Sequence, residues 1–124
     1  MIHAPVRERI APILEAGAAV TCAIVDLEVL YSAKNYDEYA RIQRRRELAY
    51  ARVPVTEEAF ARAIQVQGEL ARSGRHRLPI PDLIIAAVAE SYALTVLHYD
   101  RDYDVIAEVT GQAVEWVVAR DSIP

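Results

Sequence analysis

Cysteine is nearly missing from this chain. Cys22 stands alone, which excludes an intrachain disulfide and a thiolate cage for zinc, and a reducing compartment is the simplest fit. Glycine is scarce as well, with four in 124 residues. None of them forms G-x-x-x-x-G-K-[ST] or G-x-G-x-x-G, so neither nucleotide-binding fingerprint is available. His3, His76 and His98 are not at H-E-x-x-H spacing, which excludes the helix-borne zinc pair of metalloproteases. No uninterrupted apolar run is long enough to span a membrane. Arg7, Glu8 and Arg9 break any signal-peptide pattern near the N-terminus, and the expectation is a cytoplasmic protein. An excess of positive charge is lacking too: Lys plus Arg is 14 against 18 Asp plus Glu, a net charge of −4. Such a chain has no overall field with which to grip nucleic acid. Contact with a phosphate backbone would have to come from local basic patches, or through cations held by the acids.

What the chain does have is apolar content, 53%, beside 26% charged residues. That is the balance of a globular protein with one real core, and residues 1–124 read as a single domain. Val6, Ile10, Ile13 and Leu14 recur at helical spacing between Pro5 and Gly17, predicting a short amphipathic helix. Ala18 to Val25 is small and β-favouring, and is expected to be a buried strand containing Cys22. Asp26 can cap a helix from Asp26 to Ala33 whose first turn carries Glu28. Asn35 or Asp37 starts the next helix, through Tyr39, Ile42 and Leu48, with Arg41, Arg44, Arg45 and Arg46 on a solvated face. Val53-Pro54-Val55 reads as a brief extended crossing. Thr56, followed by Glu57 and Glu58, opens a helix that Phe60, Ile64, Val66, Gln67 and Leu70 carry to Ser73, with Gly74 as the left-handed residue beyond it. Leu94 to Tyr99 is a strand, Tyr103 to Thr110 a helix ended by Gly111, and Val114 to Val118 a last strand around Trp116. Strands alternating with helices predict an α/β fold with a parallel sheet flanked by helices.

The chain is organised around Ile80-Pro81-Asp82-Leu83-Ile84-Ile85-Ala86-Ala87-Val88-Ala89. Pro81 suits the opening of a helix, and the residues after Asp82 are apolar on every side of it, predicting a buried helix with one carboxylate at its mouth. The helix dipole favours the charged form of that acid, which must meet water, a cation or a partner. Taken singly, it is no more than a terminus acid. In open parallel sheets, however, the functional crevice lies beyond the carboxyl ends of the strands. Glu28, Asp82, and Asp100 with Asp102 come to that edge from three segments. Carboxylates so gathered repel one another unless a cation is present, and a set of oxygen ligands suits Mg²⁺ or Mn²⁺. Asp100-Arg101-Asp102-Tyr103-Asp104 imitates a calcium loop, but Val105 stands where the turn glycine belongs and Gly111 where the bidentate Glu belongs, so no such loop is present. His98 is a strand-end residue or a support for the acids. Arg75, His76 and Arg77 either position a substrate backbone or form a solvated loop.

Asp26-Leu27-Glu28-Val29-Leu30-Tyr31-Ser32-Ala33, Ile80-Pro81-Asp82-Leu83-Ile84-Ile85-Ala86-Ala87 and His98-Tyr99-Asp100-Arg101-Asp102-Tyr103 resemble the PIN-domain toxins of VapC type. Thr110-Gly111-Gln112-Ala113-Val114-Glu115-Trp116-Val117 is also similar to that subgroup, and the likeness runs through essentially the whole chain. It implies a PIN-like three-layer α/β fold and a Mg²⁺- or Mn²⁺-dependent endoribonuclease that hydrolyses phosphodiester bonds in RNA. A cognate VapB-type antitoxin and a homodimer are implied with it. By the same likeness Glu28, Asp82 and Asp100 are catalytic metal ligands, with Asp102 at the adjoining acidic position. The family opens with a central strand ending in an Asp, whereas Met1-Ile2-His3 here leads directly into the helix at Pro5. The first strand and first acid are therefore expected to be absent, as a late start, a trimmed chain or a degenerate copy would each produce. A catalytically inactive module that binds antitoxin or RNA is the alternative, and a small phosphoryl-transfer enzyme is disfavoured because no Asp follows an N-terminal strand.

Overall fold

The structure, a computed structural model, describes Pro5 and residues 19–117. The helix expected over Val6 to Leu14 lies outside them, as does Val118. The chain divides into two units, Met1–Pro54 and Val55–Pro124.

In the first unit, β1 (Val20–Thr21) leads through Cys22 into α1 (Ala23–Tyr31), then α2 (Tyr36–Ala49) and β2 (Ala51–Arg52). β1 and β2 pair in parallel with Val20 opposite Ala51 and Thr21 opposite Arg52. The β-favouring run was expected to stay extended to Val25; instead the strand stops at Thr21, and Cys22, in extended conformation, is the cap of α1. Asp26 shows why. Its N–H reaches the Cys22 carbonyl at 3.1 Å, so it closes the first turn from inside the helix. Its carboxylate turns into the protein, where Oδ1 accepts from Arg46 Nε at 2.8 Å and Oδ2 lies 2.6 Å from Arg52 Nη2. The expected cap residue is thus a buried anchor joining α1, α2 and β2. Arg46, expected on a solvated face, is turned inward with 14% of its side chain exposed, and its guanidinium lies 4.6 Å from the Tyr50 ring centre. Helix α2 starts where one of the two readings put it, because the Asn35 side chain accepts the Glu38 N–H at 2.9 Å.

The second unit runs α3 (Glu57–Ala71), α4 (Ile80–Ser91), β3 (Val96–His98), α5 (Arg101–Thr110) and β4 (Val114–Trp116). Thr56 caps α3 by accepting the Ala59 N–H at 3.2 Å, as its sequence predicts. The buried face of α3 is Ala59, Ala63, Val66 and Leu70, while Phe60 and Ile64 are exposed. The apolar count had favoured Phe60 and Ile64, but the alanines let α4 approach closely, and close packing decides which face turns in. α3, α4 and α5 pack on one another, and Leu70 and Ile106 have less than 2% of their surface exposed. On α4, Leu83 and Ala86 to Ala89 are buried, whereas Ile84 and Ile85 are half-buried. β3 and β4 pair in parallel across α5, with Val96, Leu97 and His98 opposite Val114, Glu115 and Trp116. Gly111 ends α5 at φ 69°, and Gly74 follows α3 at φ 72°, the left-handed positions that glycine fills without strain. The result is a helix-rich α/β chain whose described strands lie in two parallel ladders.

Candidate metal centre

Asp82 is the third residue of α4. Pro79 caps that helix without a side-chain bond, Pro81 lies in its first turn, and the Asp82 N–H reaches the Pro79 carbonyl at 3.1 Å. The carboxylate therefore stands where free N–H groups and the positive end of the helix dipole face outward. Asp100 leaves β3 and caps α5, its Oδ1 accepting the Asp102 N–H at 2.9 Å. Each acid taken alone does the ordinary work of a helix terminus. Together they do something else: one carboxylate oxygen from each of Asp82, Asp100 and Asp102 falls within 4.8 Å of the others.

The electrostatics follow from that crowding. Burial raises the Asp102 pKa above the ordinary carboxylate value, and the Asp100 charge adds to the rise, against a smaller opposing effect of Arg101. Asp82 and Asp102 are half-buried and Asp100 is exposed, so the cluster is open to solvent on one side. Three carboxylates so arranged favour a divalent cation, and an all-oxygen donor set suits Mg²⁺ or Mn²⁺ better than zinc.

An aromatic group backs the acids. Tyr103 Oη donates to Asp82 Oδ1 at 3.1 Å, and its ring lies 5.1 Å from that of His98. The buried His98 accepts the Asp100 N–H at Nδ1, 3.1 Å away, and sits 4.9 Å from the Trp116 ring. Burial pushes the His98 pKa down, with Asp104 and Asp100 opposing. Trp116 Nε1 donates to Asp104 Oδ2 at 3.0 Å. His98 is the last residue of β3, as the strand-end reading has it, and its bond from the Asp100 N–H gives it a supporting contact as well. The part played by Tyr103 had no signal in the sequence, since nothing in its local pattern says that its hydroxyl reaches α4.

The other expected residues fall elsewhere. Glu28 belongs to the first unit and sits in the second turn of α1, exposed, rather than opening the helix, because α1 begins at Ala23. Arg75, His76 and Arg77 are exposed in the loop after α3. Arg75 is committed to Glu108 of α5 at 2.5 Å and to Ser73 Oγ at 3.0 Å.

Comparison with known proteins gives a consistent picture. The family model described as PIN domain matches residues 3–109. Over 121 residues the chain is 45% identical to ribonuclease VapC21 of Mycobacterium tuberculosis, covering 94% of this chain and 86% of that protein. It is 42% identical over 118 residues to ribonuclease VapC51 of the same organism, covering 95% and 85%. Ribonuclease VapC18, also from that organism, is 43% identical over 113 residues, covering 89% and 82%.

Proposed function

The chain belongs to the VapC-type PIN-domain family, and on that premise we propose that it is a metal-dependent endoribonuclease toxin of a toxin–antitoxin pair. The observation that carries the reading is the convergence of Asp82, Asp100 and Asp102 within 4.8 Å on a chain so similar to proteins named ribonucleases. In this proposal those three acids hold Mg²⁺ or Mn²⁺. When bound, the cation supplies a water of lowered pKa and stabilises charge on the scissile phosphate.

The chain's own residues do the rest. The helix termini at Asp82 and Asp100 orient carboxylates without needing a nucleophile from the protein. Asp102, whose pKa is raised by burial and by Asp100, is relieved by a cation that offsets the repulsion. His76 and Arg77, exposed ahead of α4, meet the RNA backbone, and Arg75 joins them if Glu108 releases it. The partners that fit are a VapB-type antitoxin, which would neutralise the activity, and a second copy of the chain in a homodimer. Among the described residues no helix is long and apolar enough to cross a membrane, and the cytoplasm is the proposed location.

The test is cleavage of single-stranded RNA by the purified chain with Mg²⁺, with Mn²⁺ and with chelator. Metal-dependent cleavage that disappears in Asp82→Asn supports the proposal. A folded chain that binds antitoxin but cuts no RNA under any metal condition would replace it with a non-catalytic binding module.

A further inference from the structure

Like-charged carboxylates turn away from one another unless something holds them together. Among the described residues, Tyr103 is placed to do so. It lies in α5 between Asp102 and Asp104, and its hydroxyl crosses to α4, where it donates to Asp82 Oδ1 at 3.1 Å. The tyrosine itself cannot swing. It is 8% exposed, and its ring rests on His98, which is paired opposite Trp116 in the β3 and β4 ladder. His98 and Trp116 in turn hold the Asp100 N–H and the Asp104 carboxylate. The phenol is thus a short arm from α5, braced on the ladder through His98, that reaches the acid which α4 contributes to the cluster.

We propose that Tyr103 is a positioning residue for the cation site: its hydroxyl holds the Asp82 carboxylate in the orientation that meets Asp100 and Asp102 before any cation arrives. This rests on the reading of those acids as a metal site. A donor on one carboxylate offsets part of the repulsion and selects one side-chain rotamer, so less ordering remains to be done on binding. Supporting contacts of this kind change metal affinity by about 10–100-fold when removed. The competing explanation is that a buried phenol merely needs an acceptor for its own O–H. That explanation requires a loss of stability on removing the oxygen, with no change in affinity for metal.

Tyr103→Phe keeps the ring and its packing on His98 and deletes only the oxygen. Mn²⁺ affinity of the full chain, measured by calorimetry and by electron paramagnetic resonance of free Mn²⁺, should fall by about tenfold or more. Adding Mn²⁺ to the native chain should also produce a tyrosine difference spectrum in the near ultraviolet that Tyr103→Phe lacks. A native Mn²⁺ affinity in folded Tyr103→Phe, whatever its melting temperature, would overturn the positioning role. Asp82→Asn is measured beside it to separate two failures. If Asp82→Asn also keeps native affinity, the metal-site reading falls and the inference falls with it. If Asp82→Asn loses the metal while Tyr103→Phe retains it, the positioning role alone is wrong.

Discussion

Asp82→Asn should move stability in opposite directions with and without metal. One oxygen from each of three carboxylates lies within 4.8 Å of the other two. Two unit charges at that separation repel by about 0.9 kcal/mol in water and about 3.5 kcal/mol at an effective dielectric constant of 20. Asp100 is exposed and Asp82 and Asp102 are half-buried, so the lower figure governs. Neutralising Asp82 removes two such repulsions, about 2 kcal/mol. It also removes an acid from the first turn of α4, losing about 0.3–1 kcal/mol of interaction with the helix dipole. The amide keeps the shape and can still accept from Tyr103. The metal-free variant should therefore be more stable by about 1 kcal/mol, a rise of roughly 3–6 °C in Tm for a chain of this size. In Mn²⁺ at a hundred times its Kd, the native chain gains about 2.7 kcal/mol by mass action, and the variant should gain little. Scanning calorimetry in chelator and then in increasing Mn²⁺ reads both effects. A variant that melts below the native chain in chelator, and is stabilised equally by Mn²⁺, would mean that Asp82 is a terminus acid and nothing more.

Asp26→Ala should destabilise the first unit by about 3–5 kcal/mol, because it leaves Arg46 buried without its carboxylate; the half-exposed Arg52 adds little. A thermal melt within a degree or two of the native chain would show that the pair is dispensable. Burial alone would raise the Asp26 pKa, but Arg46 and Arg52 together outweigh it and hold the net value below the ordinary one. Its contribution is therefore fully present above the unfolded carboxylate pKa of about 3.9 and lost as pH falls through the folded value. Asp26→Asn should flatten the acid limb of a plot of Tm against pH, and an unchanged limb would contradict the assignment. Val88→Asp should abolish the cooperative melt seen by circular dichroism, since Val88 is 3% exposed and an unpaired charge there cannot reach water. Val88 is a sharper probe than the half-buried Ile85, and an undisturbed melt would refute the burial of α4.

Much of this protein could be read from its sequence because much of it is local. Asn35, Thr56 and Asp100 cap helices by bonds to N–H groups two or three residues ahead, and Gly111 ends one by adopting a backbone that other residues resist. Interactions of that reach leave their signature in adjacent letters, and the Asp82 and Asp100-Arg101-Asp102 blocks were recognisable for the same reason. The face that α3 turns inward was not legible, because Phe60 with Ile64 and Ala59 with Ala63 have the same helical spacing, and only the closeness of α4 chooses between them. The position of β2 was not legible either, since Ala51 and Arg52 carry no strand preference and pair because β1 lies beside them. Asp26 looked like a cap and became a buried anchor, because Arg46 lies 20 residues away in sequence and 2.8 Å away in the fold. Tyr103 finds Asp82 across 21 residues in the same manner. The starts of α2 and α3 and the acid at the mouth of α4 were set by short-range chemistry that the chain carries in its letters. Which acid is paired, which is clustered, and what holds the cluster together were decided by packing, because a side chain's partner depends on where distant segments meet.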